Sequence, residues 1–398
     1  MSKWEMAKVG EVFSLIRNGA SIKQGIIPGG YPITRIETIA NSEVDRNRMG
    51  YAGITDIAKY DNYVLQTGDI LMSHINSEKH LGKTAYYEKE QDEIVIHGMN
   101  LLCLRPIKAV IDYKYAYYFF QSNVFKHQIP NITKKSVNQA SFTVSALKKL
   151  TLPLPSIKNQ QQIAKTLDTA AELLTMRKQQ LTELDNLTKS IFYEMFGDPV
   201  TNEKGWGVKK LKDLSLLITK GSSPTWQGVE YTNDTSQVLF ITSENVREGY
   251  LDLSKRKYLE NKFNELQKRS ILEYGDLLIN IVGASIGRAA LFYSTEVANI
   301  NQAVALVRCK KDVCLNYLCY YLNSPKALQM YNEMQVDVAR ANLSLKNIGD
   351  LAVIYPPIAL QSQFAEIVTK IEEQKALVQK AIDETQYLFD SLMSGYFD

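Results

Sequence analysis

The sequence predicts an α+β protein of two tandem α/β domains, each followed by a long helix, with the two helices pairing as an antiparallel coiled coil. Three observations predict this fold class. The same motifs recur in both halves of the chain, short apolar runs alternate with Gly, Asn and Pro, and two long stretches carry apolar residues at heptad spacing. A chain of 398 residues is also too long for one ordinary core, which favours two domains.

The composition is that of a globular protein, with 45% hydrophobic and 22% charged residues. The formal net charge of +3 is too small to indicate a polyanion partner, so any nucleic-acid argument must rest on local features. The sequence shows no apolar signal segment, and no apolar run approaches the roughly 18 residues that span a bilayer. We therefore expect a cytoplasmic protein with no membrane contact. Its four cysteines form no CxxC pair and predict buried reduced thiols.

An internal duplication becomes visible when the chain is compared with itself. Trp4 aligns with Trp206 at an offset of 202 residues, and residues 17–21 align with 219–223 at the same offset. Repeats of this length are duplicated domains rather than solenoid units. The predicted parts are a first domain at 1–155, its helix at 156–197, a second domain at 198–355 and its helix at 356–398.

Each domain is predicted to hold a sheet followed by helices. The apolar runs DILMSHI and LLCLRP of the first domain, bounded by Gly, Asn and Pro, indicate strands. The segments YKYAYYFFQSNVF and LNYLCYYLNSPKAL indicate helices near the end of each domain. A proline-bearing exit strand, TLPLPS in the first domain and VIYPPIAL in the second, then leads into each long helix.

Both long helices carry a heptad seam. In the first, apolar residues from Ile163 to Met195 recur at alternating spacings of four and three, interrupted by Arg177 and Thr188, until Gly197 ends the helix. The economical way to cover both seams is for the helices to pack on each other, antiparallel, with one domain at each end. The alternative is a pair of ordinary long domain helices. A rigid pair would fix the distance between two domains, as reading a split site on a duplex demands.

These motifs together resemble the specificity (S) subunit of type I restriction-modification systems across essentially the whole chain. The resemblance rests on LPLPSIKNQQQIA and YPPIALQSQFAEI at the start of the helical regions, on IFYEMFGDP after the first helix, and on KGSSP and GDLLINIVGASIGRAALF in the second domain. Each motif is moderately specific, whereas their double occurrence in the same order is highly specific. The first domain departs from the pattern, with SHINSEKHLGKT where the second has NIVGASIGRA.

The resemblance implies two target-recognition domains, each reading one half of an asymmetric bipartite site on double-stranded DNA. It also implies that the helices act as a spacer and as the docking surface for two methyltransferase (M) subunits, and that restriction/translocase (R) subunits can join the assembly. On this expectation the chain itself is not an enzyme and carries neither cofactor nor metal. S-adenosylmethionine, ATP and Mg are expected only on the partner subunits.

Candidate DNA contacts follow from side-chain chemistry. Arg and Lys suit guanine and phosphate, Asn and Gln suit adenine, and Ser and Thr permit close approach. In the first domain these candidates are Arg17, Asn18, Ser21, Lys23, Arg35, Ser73, His74, Lys83, Asn100, Lys134, Lys135 and Asn138. In the second domain they are Lys220, Ser222, Ser223, Thr242, Ser243, Asn245, Ser285, Arg288, Asn301, Gln302 and Arg340. For any single residue a solvated surface role is an equal alternative, so the clusters carry the prediction.

No enzyme motif in the sequence is complete. The segment LGKT at 81–84 resembles the end of a phosphate-binding loop, but Ser77 stands where that motif needs glycine. A second hypothesis, a two-headed protein-interaction scaffold, stays open because two heads on a helical spacer can equally bind polypeptides. Added salt separates the two hypotheses, since DNA binding weakens steeply through counterion release and a largely apolar protein contact does not.

Overall fold

The computed structural model describes residues 4–23, 25, 29–136, 139–334 and 342–398. The chain divides into two compact units. Unit 1 combines Met1–Gln179 with Val378–Asp398, and unit 2 is the continuous segment Gln180–Leu377. The chain therefore passes between the units twice, once within each long helix.

Unit 1 is built from short strands and helices joined by loops and 3-10 turns. Its strands are β1 (Met6–Lys8), β2 (Phe13–Asn18), β3 (Pro32–Ile33), β4 (Gly50–Tyr51), β5 (Ile70–Ser73), β6 (Ile75–Asn76), β7 (Thr84–Tyr86), β8 (Leu101–Pro106), β9 (Lys134–Lys135), β10 (Ala140–Ser141) and β11 (Thr151–Pro153). Its helices are α1 (Val9–Val12), α2 (Tyr113–Gln121), α3 (Asn123–Ile132), α4 (Val144–Leu147), the first part of α5 (Ile157–Phe196) and the last part of α10 (Ile358–Phe397).

The central element of unit 1 is a four-stranded antiparallel sheet in the order β2-β8-β5-β7. Its strands are buried on both faces because alternate residues point into two different cores. Ile70 and Met72 of β5 belong to the core shared with α2, α3 and the long helices, whereas Leu71 belongs to the core on the opposite face. The strands β1 and β11 form a separate antiparallel pair that joins the start of the domain to its exit strand.

Unit 2 repeats this plan. Its strands are β12 (Val208–Lys210), β13 (Ser215–Lys220), β14 (Tyr231–Thr232), β15 (Val238–Ile241), β16 (Tyr258–Leu259), β17 (Leu277–Asn280), β18 (Ala289–Leu291), β19 (Ala298–Ile300), β20 (Val304–Cys309) and β21 (Ala352–Ile354). Its helices are the second part of α5, α6 (Lys262–Leu266), α7 (Leu315–Leu322), α8 (Pro325–Glu333), α9 (Leu345–Gly349) and the first part of α10 (Ile358–Phe397).

The central sheet of unit 2 has the order β13-β20-β17-β18, which is the order of the unit 1 sheet one repeat later. The alternation is also the same, since Leu277 and Ile279 face the helices while Leu278 faces the other core. That second core is closed by another four-stranded sheet, β14-β16-β15-β19. In unit 1 the corresponding face is covered by the 3-10 turn Ile36–Ile39 and by loop residues such as Met49, Leu65 and Val95. Ile33 of β3 belongs to a separate small core.

One buried ion pair occurs at the same place in both sheets. The carboxylate of Asp69 is 1% exposed and accepts from Nε and Nη2 of Arg105 at 2.8 and 2.7 Å. The carboxylate of Asp276 is 2% exposed and accepts from the same two atoms of Arg308 at 2.9 and 2.8 Å. Because such a bidentate pair leaves neither charge unpaired, each sheet can hold an ionised carboxylate in its interior.

The long helices α5 and α10 each contain 40 residues, and each is therefore about 60 Å long. In unit 1 the start of α5 and the end of α10 share one core, in which Ile163 and Leu167 of α5 lie with Leu392 and Phe397 of α10. Farther along α5, the Arg177 guanidinium donates to the carbonyl of Ala381 and the hydroxyl of Thr385. The two segments therefore run antiparallel within unit 1.

Unit 2 holds the complementary halves of the same helices. The rings of Phe192 and Phe196, at the end of α5, lie 5.5 and 5.4 Å from that of Phe364, near the start of α10. Nearer the middle of both helices, Lys375 Nζ lies 2.8 Å from a carboxylate oxygen of Asp185. The helix segments of unit 2 therefore also run antiparallel.

The predicted fold class, two tandem α/β domains each followed by a long helix, is confirmed. The predicted strands DILMSHI and LLCLRP contain β5 and β8. The predicted exit strand TLPLPS contains β11, and VIYPPIAL overlaps the last two residues of β21. The segment YKYAYYFFQSNVF forms two helices rather than one, because Ser122 ends α2 and its hydroxyl caps α3 by accepting from Phe125 N at 3.3 Å. None of the described helices has the length and apolarity of a membrane span.

Candidate nucleic-acid interface

One end of the central sheet gathers the predicted residues of unit 1. Asn18 ends β2 opposite Leu102, and Ser73 ends β5 opposite Leu101, so both strands stop where β8 begins. Lys83 comes directly before β7, whose first residue also lies at this end. We call this the reading end of the sheet, defined in unit 1 by Asn18, Ser73, Lys83 and Asn100.

Most polar side chains at the reading end of unit 1 are held by local bonds. Asn18 Oδ1 accepts from the backbone N–H of Gly19 at 3.1 Å and of Asn100 at 3.2 Å, which joins β2 to the loop before β8. Arg17 Nη2 donates to the Asn62 carbonyl at 2.6 Å, and its guanidinium carbon lies 3.9 Å from the Tyr63 ring centroid. These bonds fix the backbone and the cation that a DNA duplex would meet.

Two of the predicted residues of unit 1 are buried instead of facing solvent. Ser73 is 1% exposed, and His74 is 7% exposed with its ring against Phe142. Burial lowers the pKa of His74, so the imidazole is neutral at physiological pH. These two residues therefore support the reading end from the protein interior. Lys83, whose carbonyl accepts from Ser73 N, is half-buried, and its Nζ donates to the Ala40 carbonyl at 2.6 Å.

The remaining candidates of unit 1 lie on surrounding loops. Ser21 and Lys23 are exposed beyond Ala20, whose N–H and carbonyl bond the loop before β8. Arg35 pairs with Glu37 at 3.4 Å, while Lys134 and Lys135 are exposed on β9, with Lys135 2.8 Å from Glu78. Asn138 lies outside the described residues.

The same end of the unit 2 sheet gathers a second group. Lys220 ends β13 and Asn280 ends β17, opposite the first two residues of β20. Arg288 comes directly before β18, and Asn301 and Gln302 come just before β20. The reading end of unit 2 is therefore the structural equivalent of that in unit 1.

Asn280 is the residue at this end that sequence reasoning missed. It is fully buried, and its Nδ2 donates to the carbonyls of Ser243 and Val246 and to the hydroxyl of Ser285, the first and last at 3.0 and 3.1 Å. The loop after β15 and the loop after β17 are thereby joined beneath the reading end. Its place in GDLLIN, at the end of a buried strand, is the signal that could have found it, since a buried amide needs several partners.

Several predicted polar residues of unit 2 are used within its loops. Asn245 Oδ1 accepts from the N–H and hydroxyl of Thr242, and its Nδ2 donates to the Asp252 carbonyl at 3.0 Å. Asn301 Oδ1 accepts from the Ala303 N–H at 3.1 Å, and Ser222 accepts from Gln227 at 3.0 Å. These side chains fix loop shape. Ser223 and Gln302 are half-buried, Lys220 is exposed, and Arg340 lies outside the described residues.

A cation occupies the same position in both reading ends. Lys83 follows Gly82 in unit 1, and Arg288 follows Gly287 in unit 2. Arg288 Nε lies 4.0 Å from a carboxylate oxygen of Glu248, a long and partly exposed pair. Weak pairing of this kind leaves the guanidinium able to exchange its partner for a phosphate or a guanine edge.

The glycines that follow β2 and β13 serve close packing of the backbone. A Cβ at Gly19 would lie 2.0 Å from the Gly98 carbonyl oxygen, and one at Gly221 would lie 1.7 Å from the Ile300 carbonyl oxygen. Only glycine permits this approach. The shared glycine motif therefore sets the geometry of the reading end in both units.

Exposed aromatic residues were also missed by the sequence reasoning. Trp226 is 75% exposed and Tyr250 is 61% exposed, both on loops of unit 2. No sequence periodicity marks them, because each stands alone in a loop. Within the described ranges no three His, Cys, Asp or Glu side chains converge as a metal site.

Comparison with known proteins gives the same division of the chain. A family model described as the type I restriction modification DNA specificity domain matches residues 1–186 and again residues 203–386. Each match contains one central sheet with its reading end. The duplication seen in the sequence is therefore a duplication of this domain.

Similar proteins carry related descriptions. The chain is 38% identical over 237 residues to the putative type I restriction enzyme MjaX specificity subunit of Methanocaldococcus jannaschii. The aligned region covers 58% of this chain and 52% of that protein. The chain is 24% identical over 398 residues to the type I restriction enzyme EcoKI specificity subunit of Escherichia coli K12, which covers 93% of this chain and 82% of that protein. This chain thus spans about half the length of the M. jannaschii relative.

Solved structures show the same fold. The type I restriction-modification S subunit from M. genitalium superposes with a TM-score of 0.61 at 16% identity, covering 100% of this chain and 96% of that one. A structure from work on complex assembly of the type I R-M system gives a TM-score of 0.61 at 14% identity. The superposition covers 99% of this chain and 97% of that chain.

Proposed function

The chain belongs to the family of type I restriction-modification DNA specificity proteins, and from that premise we propose that it is a non-catalytic subunit that reads an asymmetric bipartite site on double-stranded DNA. Each half of the site is read by one of the two domains. The chain directs partner methyltransferase and restriction subunits to that site.

The observation that carries this proposal is the occurrence of equivalent reading ends with different side chains. Unit 1 has Asn18 where unit 2 has Lys220, and it has Lys83 where unit 2 has Arg288. A shared scaffold with different donors and acceptors is what two different half-sites require, because each base pair presents its own pattern in the major groove.

Catalysis is assigned to the partners. We propose that two methyltransferase (M) subunits bind S-adenosylmethionine and methylate the DNA, and that restriction/translocase (R) subunits bring ATP and Mg to the assembly. The absence of a complete catalytic motif in the sequence supports this division. A specificity subunit needs only to bind DNA and its partners.

The long helices α5 and α10 are proposed to set the number of unread base pairs between the half-sites and to receive the M subunits. The support is their equal length of 40 residues and the antiparallel packing inside each unit. Helices of this length without a break are stiff, so they can hold a fixed spacing.

The test is to map methylated bases in a methylation-free host that carries this chain and its cognate M subunit. A bipartite motif with a fixed gap, methylated on both strands and absent without this chain, is the expected result. A palindromic motif would contradict the asymmetry. No methylation from a complex shown to assemble and to bind cofactor would contradict the function, and weak salt dependence of DNA binding would favour a protein scaffold.

A further inference from the structure

Two exposed aromatic side chains stand on loops beside the reading end of unit 2. Trp226 is 75% exposed and Tyr250 is 61% exposed, whereas many of the large aromatic side chains of this unit are buried. Large apolar side chains held in water are a common mark of binding surfaces. The question is what these two residues would contact.

The Trp226 loop is fixed at both ends. It leaves β13 at Gly221, which lies against the Ile300 carbonyl, and it forms the 3-10 turn Thr225–Gln227. Gln227 Nε2 donates to the Ser222 hydroxyl at 3.0 Å, Gly228 has φ of +62°, and Val229 N donates to the Pro224 carbonyl at 3.1 Å. The turn therefore holds its indole in solvent on a rigid backbone, which lowers the entropy cost of binding.

The Tyr250 loop is attached to the opposite edge of the same sheet. Gly249 N donates to the Ala289 carbonyl at 2.9 Å, at the first residue of β18. The order β13-β20-β17-β18 places β13 and β18 at the two edges. One aromatic loop thus leaves from the β13 edge and the other is bonded to the β18 edge, both at the end that carries Lys220 and Arg288.

A cationic surface flanked by aromatic side chains matches the chemistry of DNA. Lys220 and Arg288 suit phosphates and guanine edges, while an indole suits a thymine methyl group or the face of a base. We propose that Trp226, together with Tyr250, contacts base atoms of the half-site read by unit 2 and so determines its sequence preference. This inference rests on the proposed function.

The first repeat gives a reason to restrict the proposal to one half-site. At the offset of 202 residues, the position of Trp226 is taken by Gln24, a polar residue. An aromatic contact at this position therefore belongs to unit 2 alone. Loss of the indole should alter one half of the bipartite site and leave the other half unchanged.

The test uses the assembled complex of this chain with its M subunits and three duplexes: the full site and the site with either half replaced. Trp226→Ala should weaken binding of the full site about ten-fold, as expected for one lost base contact. It should leave binding unchanged when the unit 2 half is already replaced. Trp226→Phe should recover part of the loss, because a smaller aromatic ring remains.

The matched control is Tyr274→Ala. Tyr274 is 69% exposed in the same unit, but it precedes β17 and therefore lies at the opposite end of the sheet. This variant should bind all three duplexes like the wild type. If Trp226→Ala bound the full site as tightly as the wild type, the proposal would be overturned. An equal loss of binding in Tyr274→Ala would also overturn it.

A second readout does not depend on affinity. The tryptophan emission of the wild-type complex should change on adding the full site, and the change should be absent in Trp226→Phe. An identical change in both complexes would overturn the proposal. A wild-type complex that fails to distinguish the three duplexes would instead contradict the proposed function, so the two failures are distinguishable.

Discussion

His97 is a buried imidazole at the reading end of unit 1. Its Nδ1 lies 3.4 Å from the Thr34 hydroxyl, and its Nε2 has no hydrogen-bond partner among the described residues. Burial is the largest cause that lowers its pKa to about 3, and it outweighs the backbone of Leu101, which favours the protonated ring. The charge of Arg17 acts in the same direction as burial. The folded domain therefore holds this ring neutral, well below the pH at which a free histidine gains its proton.

A histidine held neutral makes unit 1 sensitive to acid. Because its pKa in the folded state lies below the unfolded value of about 6.5, the unfolded chain binds more protons as the pH falls from about 6.5 towards 3, and stability is lost across that window. Between pH 7.5 and 5.5 we expect about 1.4 kcal/mol of loss from His97. Because burial also lowers the pKa of His74, this residue adds to the loss of stability as the pH falls.

The measurement is the melting temperature of unit 1 in the full chain at both pH values. His97→Asn should reduce the shift between pH 7.5 and 5.5 by about 2–4 °C relative to the wild type. His127→Asn is the control, since His127 is exposed on α3. An unchanged pH shift in His97→Asn would show that another group causes the acid sensitivity.

The roles of individual polar side chains were predicted least well from the sequence. Thr242 and Asn245 were chosen as polar candidates for DNA contact, yet they bond each other within one turn. Asn280 was not chosen, although it joins two loops. Small polar side chains serve turns, caps and base readout alike, so residue type cannot separate these uses before the loop geometry is known. The DNA contacts themselves remain predictions.

The elements were predicted better, because helix periodicity and breakers are local. The sequence indicated both long helices and the end of the first at Gly197, and the structure ends α5 at Phe196. The polar interruption at Arg177 also has a cause that the sequence did not reveal. Arg177 bonds Thr385 and the Ala381 carbonyl across the helix pair of unit 1, so this polar position can fix the register of the two helices.

Phe397 packs the end of α10 into the core of unit 1. The side chain is 3% exposed and lies against Tyr115 and Phe119, with ring centroids 5.3 and 6.0 Å away. Phe397→Ala should cost about 3–5 kcal/mol of unfolding free energy, because it removes a buried ring and leaves a cavity. Urea unfolding of the isolated chain measures this loss.

Tyr387→Ala is the matched control for Phe397. Tyr387 lies on the same helix but is 78% exposed, so its removal should change stability by no more than about 0.5 kcal/mol. Equal losses in the two variants would mean that α10 is stabilised by helix formation alone. A loss confined to Phe397→Ala would identify the aromatic core as the source.

At the scale of the whole molecule, the proposed spacer can be tested by length. Insertion of one heptad into α5 and one into α10 adds seven residues to each helix and keeps the seam in register. The methylated motif should then show a longer gap between unchanged half-sites. Insertion of four residues in each helix is the control, because it shifts the seam and should weaken the complex. Altered bases within either half-site would contradict the spacer role.

The whole-molecule organisation was predicted in part. The duplication follows from residues that recur at a fixed offset, such as Trp4 and Trp206, and from the repeated exit strands, because similar sequences fold alike. The boundaries of the compact units do not follow from the repeats. Unit 1 includes Val378–Asp398, which belongs to the second repeat in sequence, because the aromatic end of α10 packs on α2. Such a long-range contact has no local signal.

That discontinuity has a consequence for biosynthesis. Unit 2 is one continuous segment, so all of its residues are translated before the segment Val378–Asp398 that completes unit 1. Unit 1 begins first yet is completed last, since its core lacks Phe389 and Phe397 until the residues after Val378 have been translated. During that interval the faces of Tyr115, Tyr118 and Phe119 that later meet α10 are open to water. We therefore expect the first domain, although it is translated first, to be the more aggregation-prone of the two during synthesis.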